Sequence, residues 1–295
     1  MSGSLAQRLA EAADLVTVAL DALLPRAEGP EQRLTEAMRY AALGPGGRLR
    51  PFFALETAKM FSLPERPVLR SACAIECIYA YGLIHHELPC MDDEDMRRGR
   101  ATLHRAYDQA TAVLAGDALQ ATAFEILSHP DTHEDPAVRV ELVRRLALAA
   151  GARGMVGGQM IEVLGVGEEM GQVARMQRMK TGALIACAFE IPLAMARVSE
   201  AERQSLMGFA QDLGLAYQIV DDLIGVEGDT TELGVAAPSR GAAKGKANYV
   251  TRLGVMEAKE RVGLLADQAR AHLEAFGPRA QTLKDSVDFV LDRRY

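Results

Sequence analysis

Apolar residues recur along this chain at the three-to-four spacing of a helix face almost from end to end, and short joints bearing Gly or Pro interrupt them. The pattern predicts amphipathic helices over 5–24, closed by the stretch from Pro25 to Pro30, and over 31–43, closed by Gly44-Pro45-Gly46-Gly47. Further helices are predicted over 51–61, 67–88, 102–127, 136–164, 171–196, 199–225 and 256–276, with a last short one over 279–294. The 67–88 stretch is strongly apolar, as expected of a helix enclosed by others. Between Val226 and Val255 the periodicity fails, and a cluster of Gly, Pro and basic residues predicts a long loop. No composition shift marks a linker and no repeat of 20–50 residues is evident. The expectation is therefore one all-α domain spanning 1–295, a large bundle of about ten helices.

Composition sharpens this picture. Trp is absent and aromatics are only 5% of the chain, while Ala, Leu and Met are plentiful, which favours helices over sheets. The formal charge of −7 lacks the basic excess with which nucleic-acid binders neutralise phosphates, so no nucleic-acid partner is expected. Of the four cysteines, Cys73 and Cys77 lie in an apolar helical stretch and read as buried free thiols, and no CxxC pair occurs. The N-terminal segment lacks the basic-then-apolar order of a secretory leader. No uninterrupted apolar run reaches the ~18 residues that span a bilayer. A cytoplasmic location without a membrane span is expected.

Chemistry concentrates in two places. The first is His85-His86-Glu87-Leu88-Pro89-Cys90-Met91-Asp92-Asp93-Glu94-Asp95, followed directly by Met96-Arg97-Arg98-Gly99-Arg100. An apolar helix runs straight into this acidic block, which places it where a bundle interior ends. Mg²⁺ takes carboxylate oxygens together with substrate phosphates, and Arg grips phosphate through its forked donors, so acids and arginines in sequence fit one polyanion with its cations. The second place is Gln218-Ile219-Val220-Asp221-Asp222, where paired carboxylates end another apolar run. Arg48, Arg50, Lys180, Lys244 and Lys246 add cations suited to an apolar molecule bearing a diphosphate.

The ordered occurrence of Gly46-Gly47-Arg48-Leu49-Arg50-Pro51, the acid-rich segment into Arg97-Arg98-Gly99, Gly157-Gly158-Gln159, Lys180-Thr181-Gly182 and Gln218 to Asp222 resembles the trans-polyprenyl diphosphate synthases over almost the whole chain. The short-chain bacterial farnesyl and geranylgeranyl branch is the most similar. The resemblance implies an all-α bundle around a central cavity of the isoprenoid synthase type, usually in a homodimer. It implies that isopentenyl diphosphate condenses with an allylic diphosphate ionised beside up to three Mg²⁺ ions. By the same resemblance Glu87, Asp92, Asp221 and Asp222 are the metal ligands, and Lys180, Thr181 and Gln218 are catalytic. Arg50, Arg97, Arg98, Lys180, Gln218, Lys246 and Tyr81 are expected to contact substrate, with Tyr81 flooring the cavity and keeping products short.

Several positions depart from the family pattern. His86 and Glu87 stand where two Asp open the first motif, and Gly225 stands at the last acid of the second. Gly47 and Tyr79 replace the Lys and His that grip isopentenyl diphosphate, while Val235 and Ser239 replace loop lysines. Three readings remain open at this point: a working short-chain synthase, an enzyme that ionises one allylic diphosphate as terpene synthases do, and a regulatory subunit pairing with an active paralogue.

Overall fold

Ser4 starts the first helix by accepting the backbone N–H of Gln7, while the Gln7 side chain returns to the Ser4 N–H at 2.8 Å and satisfies a second otherwise unpaired donor. In this computed structural model, which describes residues 4–165, 169–227 and 248–292, helices then follow one another with short joints. They are α1 (Leu5–Leu23), α2 (Gln32–Ala42), α3 (Leu49–Met60), α4 (Glu65–His86), α5 (Leu103–Ala106), α6 (Gln109–Ser128) and α7 (Pro136–Ala150). After these come α8 (Met155–Val163), α9 (Met170–Gln177), α10 (Ala183–Ala196), α11 (Glu200–Glu227), α12 (Tyr249–Leu253), α13 (Val255–His272) and α14 (Gln281–Leu291). Among the described residues the sole sheet is a two-stranded antiparallel ladder, β1 (Met96–Arg97) against β2 (Arg100–Ala101). The protein is all-α, as its periodicity predicts.

Three predicted boundaries differ, each for a local reason. The 102–127 stretch is two helices, because Asp108 accepts the Thr111 N–H at 2.7 Å and caps a new start. The 136–164 stretch is also two, parted at Gly151–Gly154 where helix propensity drops. Residues 171–196 do stay helical, but the turn Arg178–Gly182 between α9 and α10 widens into a π-helix. The predicted loop ends early, since Asn248 accepts the Thr251 N–H at 2.8 Å and caps α12.

The chain divides into two compact units, Met1–Leu146 with Ala194–Ala196, and Ala147–Leu193 with Arg197–Tyr295. In the first, α4 packs against α3 and α6, and Phe52, Phe53, Ile75, Ile78 and Leu119 are fully buried. In the second, α11 packs along α13, and Phe189 meets Phe209 edge-on with centroids 5.5 Å apart. Cys73, Cys77 and Cys187 are buried free thiols, and burial pushes Cys73 up to about 12. Glu65–His86 and Met170–Ala196 are long and apolar enough to cross a bilayer by length and composition alone, yet 61% and 50% of their most apolar windows are buried inside the protein.

One ion pair fixes the joint between α2 and α3. Arg48, in left-handed backbone conformation (φ 44°), donates to Glu76 of α4 at 2.8 Å and to the Ala42 and Gly44 carbonyls at 2.7 and 3.0 Å. Both side chains are almost wholly buried, at 7% and 3% exposed. Arg48 therefore closes off carbonyls that α2 leaves unpaired, which corrects its expected place among the phosphate-binding cations. Removing one partner leaves the other as an uncompensated buried charge. Glu76→Leu is expected to cost roughly 3–5 kcal/mol, read as a marked fall in melting temperature by circular dichroism, whereas Glu260→Leu on the exposed face of α13 shifts it little.

Candidate functional site

The acidic segment after α4 does not extend away from the helix. Backbone N–H groups of Asp92 and Glu94 return to the carbonyls of His86 and Glu87 at 3.0 and 3.2 Å, and Asp93 returns to Leu88 at 3.1 Å. This fold-back carries the Asp92 carboxylate to the His86 imidazole, Nε2 to Oδ2 at 3.1 Å. It also sets Glu94 beside Glu87, and Arg97 bridges the two, pairing with Glu87 and reaching Glu94 at 2.7 Å. Asp95 is engaged by Arg105 at 2.5 Å. The spacing from Glu87 to Asp92 thus works as one turn of chain that doubles back over a helix end.

Arg98 and Gly99 form the two-residue turn of the β1–β2 hairpin, with φ of 49° and 74°. The turn throws the Arg98 side chain back onto the joint after α2, where it donates to the Pro45 carbonyl at 2.8 Å. That approach needs Gly46: a Cβ there would lie 2.5 Å from Arg98 Nη1. Beside it, Arg50 lays its guanidinium on the ring of Tyr79, Cζ to centroid 4.0 Å. The Arg50 Nε is buried with no hydrogen-bond partner among the described residues. A shallow open cleft lies at this end of α4, bounded in part by Tyr40, Pro45, Glu87, Arg97, Arg98 and Arg100.

Electrostatics follow from this crowding. Burial pushes the Glu87 carboxyl upward, and although Arg97 pulls it down the net shift is upward. Burial works against the Arg97 charge, but Glu94 and Glu87 outweigh it and raise its pKa. Burial also pushes the Tyr79 phenol upward, yet Arg50, Arg98 and Arg97 together reverse that and lower it. Three guanidiniums therefore act on one phenol; Arg97 is already paired with Glu87 and Glu94, whereas no described carboxylate pairs with Arg50 or Arg98.

The second unit holds the other expected residues. Asp222 on α11 accepts from the Gln218 amide at 3.1 Å and from the Gln177 amide and the Tyr249 N–H at 3.2 Å each. Asp221, its neighbour, is half-buried. Lys180, in the π-helical turn, pairs with Glu162 of α8 at 2.6 Å, and Gln159 donates to the same carboxylate at 3.2 Å. Close packing makes this possible: a Cβ on Gly158 would overlap the Lys180 backbone nitrogen. Thr181 is half-buried in the same turn. Tyr81, back in the first unit, is only 8% exposed and lies edge-on to His85 at 5.0 Å, with Gln120 and Asp117 of α6 near its hydroxyl. Lys244 and Lys246 lie outside the described residues, as do Val235 and Ser239.

Glu87 and Asp92 in one unit, and Asp221 and Asp222 in the other, offer only carboxylate oxygens, the donors that suit Mg²⁺. The departures at Gly47 and Gly225 are not forced by space, since a Cβ at either meets nothing within 4 Å. Sequence reading missed Gln177, Glu94 and Glu76 as partners. Glu76 was detectable as a charge inside an apolar helix, and Gln177 as the residue three before Lys180, on its side of a helix. Nothing local marks Glu94 among its acidic neighbours.

A family model described as polyprenyl synthetase matches residues 31–264. Farnesyl diphosphate synthase of Escherichia coli is 38% identical over 271 residues, covering 88% of this chain and 89% of that protein. The heterodimeric geranylgeranyl pyrophosphate synthase large subunit 2 of Arabidopsis thaliana is 35% identical over 270 residues, covering 90% of this chain and 70% of that one. Among solved structures, an FPP/GFPP synthase from Zymomonas mobilis superposes with a TM-score of 0.89 at 43% identity, covering 97% of this chain and 98% of its own.

Burial pushes Asp222 up to about 6 from an ordinary 3.8, against the opposing pull of its three donors. The folded state then binds more protons than the unfolded one between those values, so stability falls as pH rises from about 4 to 6 and levels off above. Thermal melts in chelator across that range are expected to show a shallower decline in Asp222→Asn than in the wild type, the remainder coming from Glu87 and Asp212, whose carboxyls burial also pushes upward.

Proposed function

This chain belongs to the polyprenyl synthetase family, and from that premise we propose that it is a prenyltransferase of isoprenoid biosynthesis, condensing isopentenyl diphosphate with an allylic diphosphate to a short-chain (C15–C20) prenyl diphosphate. The observation that carries the reading is the end of α4, where the buried carboxylate of Glu87 lies near Arg50 and Arg98, two guanidiniums with no described carboxylate partner. A diphosphate with its cation needs both signs of charge within reach. The names of the relatives favour chain elongation over ionisation of a single substrate or a purely regulatory role.

In this reading Arg50 and Arg98 hold the diphosphate of isopentenyl diphosphate. Arg97, Lys180, Lys246 and Gln218 hold that of the allylic substrate, with Thr181 beside Lys180. Glu87, Asp92, Asp221 and Asp222 hold Mg²⁺, which when bound stabilises the negative charge on a departing diphosphate. Lys180 adds a fixed cation for the same charge, and its ion pair with Glu162 keeps the ammonium oriented until substrate competes for it. Cleavage of the allylic C–O bond leaves an allylic cation, the isopentenyl double bond attacks it, and a proton leaves the adduct. Apolar walls keep water from that cation. Tyr81, packed against α6, sets how far the growing chain can extend.

The two units act as one catalytic domain, a reading that the single family match spanning both supports. A homodimer in the cytoplasm is the proposed working form. The heterodimeric relative makes pairing with a paralogue the second possibility.

Incubation with Mg²⁺, isopentenyl diphosphate and geranyl diphosphate is expected to yield elongated alcohols after phosphatase treatment; their absence at every Mg²⁺ concentration refutes the proposal. Restoring the missing cation tests the residue assignment. A charge-assisted phosphate contact is worth ~1.5–3 kcal/mol, so Gly47→Lys, for which there is room, is expected to lower the KM for isopentenyl diphosphate on the order of 10–100-fold. The KM for geranyl diphosphate is expected to stay put. Gly225→Asp is expected to lower the Mg²⁺ concentration for half-maximal rate without changing the product.

A further inference from the structure

Two arginines stand two residues apart at the start of α3, and α4 meets them with two side chains three residues apart. Glu76 meets Arg48, and Tyr79 meets Arg50. The chemistry of the two meetings differs. A carboxylate at 2.8 Å neutralises Arg48 and turns it into a structural brace. An aromatic face holds a guanidinium through the ring quadrupole and leaves its positive charge and its in-plane N–H donors available.

We propose that Tyr79 is a positioning residue, its ring face holding the Arg50 guanidinium ready for the diphosphate of isopentenyl diphosphate without cancelling its charge. This rests on the function proposed above. Arg50 is a long side chain, and no described carboxylate pairs with it. Its Nε is buried with no partner among the described residues, so the contact seen to orient it is the ring at 4.0 Å. Gly47 leaves an open space on the same joint and contributes no second cation, which makes the orientation of Arg50 count for more. The lowered Tyr79 pKa agrees with this arrangement, because Arg50 is the largest of the charges that pull the phenol down, ahead of Arg98 and of Arg97, which is itself paired with Glu87 and Glu94. The ring, not the hydroxyl, is the working part.

The test measures isopentenyl diphosphate binding by calorimetry and steady-state constants with geranyl diphosphate as the partner. Tyr79→Leu removes the ring and is expected to raise the Kd and KM for isopentenyl diphosphate about tenfold, with kcat within about twofold and the geranyl diphosphate KM unchanged. Tyr79→Phe keeps the ring and is expected to stay within about twofold of wild type. In an Arg50→Gln background the cation is gone, and Tyr79→Leu is expected to add less than about twofold. The inference is overturned by an unchanged Kd in Tyr79→Leu, by a Phe variant as weak as the Leu one, or by a full tenfold further loss when Tyr79→Leu is added to Arg50→Gln. Should Tyr79→Leu fail to fold by circular dichroism, Tyr79→Met carries the same expectations. A wild type that neither binds isopentenyl diphosphate nor elongates brings down the proposed function as well. A wild type that elongates while Tyr79→Leu binds equally well brings down this inference alone.

Discussion

Charge that is taken out of water has to be answered locally, and that constraint organises both halves of this protein. At the end of α4, Arg97 answers Glu87 and Glu94, and Asp92 meets His86. At the start of α3, Arg48 answers Glu76 and two backbone carbonyls. On α11, Asp222 draws three N–H donors and still keeps a raised pKa, because desolvation outweighs them. Arg50 is the exception, balanced by a ring face instead of an acid. A cationic group held in place and left charged is what a protein prepares for an anionic ligand.

The site is built by close approach as much as by charge. The acidic loop reaches its geometry because three N–H groups pair back to carbonyls at and just beyond the end of α4. The hairpin turn at Arg98-Gly99 points one arginine at the Gly-rich joint, and Gly46 leaves room for it. Gly158 does the same for the π-helical turn that carries Lys180. These glycines have a packing reason that Gly47 and Gly225 lack. Open space at the latter two means that their missing charges are changes of chemistry, which the fold tolerates without repacking.

The departures from the family pattern look different once their surroundings are known. His86 in place of an acid is paired with the acid at the far end of its own motif, so the loop remains closed. Glu87 in place of Asp reaches Arg97 with its longer arm. Tyr79 in place of His meets an arginine with a face. In each case the replacement keeps a neighbour in position.

Helical content, the enclosed character of α4, the two acidic stations and the ordered motifs were legible in the chain itself, because periodicity and the placing of acids after apolar runs are local properties. Cap chemistry at Asp108, the widened turn at Arg178–Gly182 and the fold-back after α4 were not, since each depends on which donor finds which acceptor in three dimensions. The same limit governed the basic residues: Arg48 and Arg50 share one motif and read alike, yet one is sealed into an ion pair and the other is held charged against a ring. A residue's type fixes what interactions it is capable of; only packing decides which partner removes it from, or leaves it for, the chemistry.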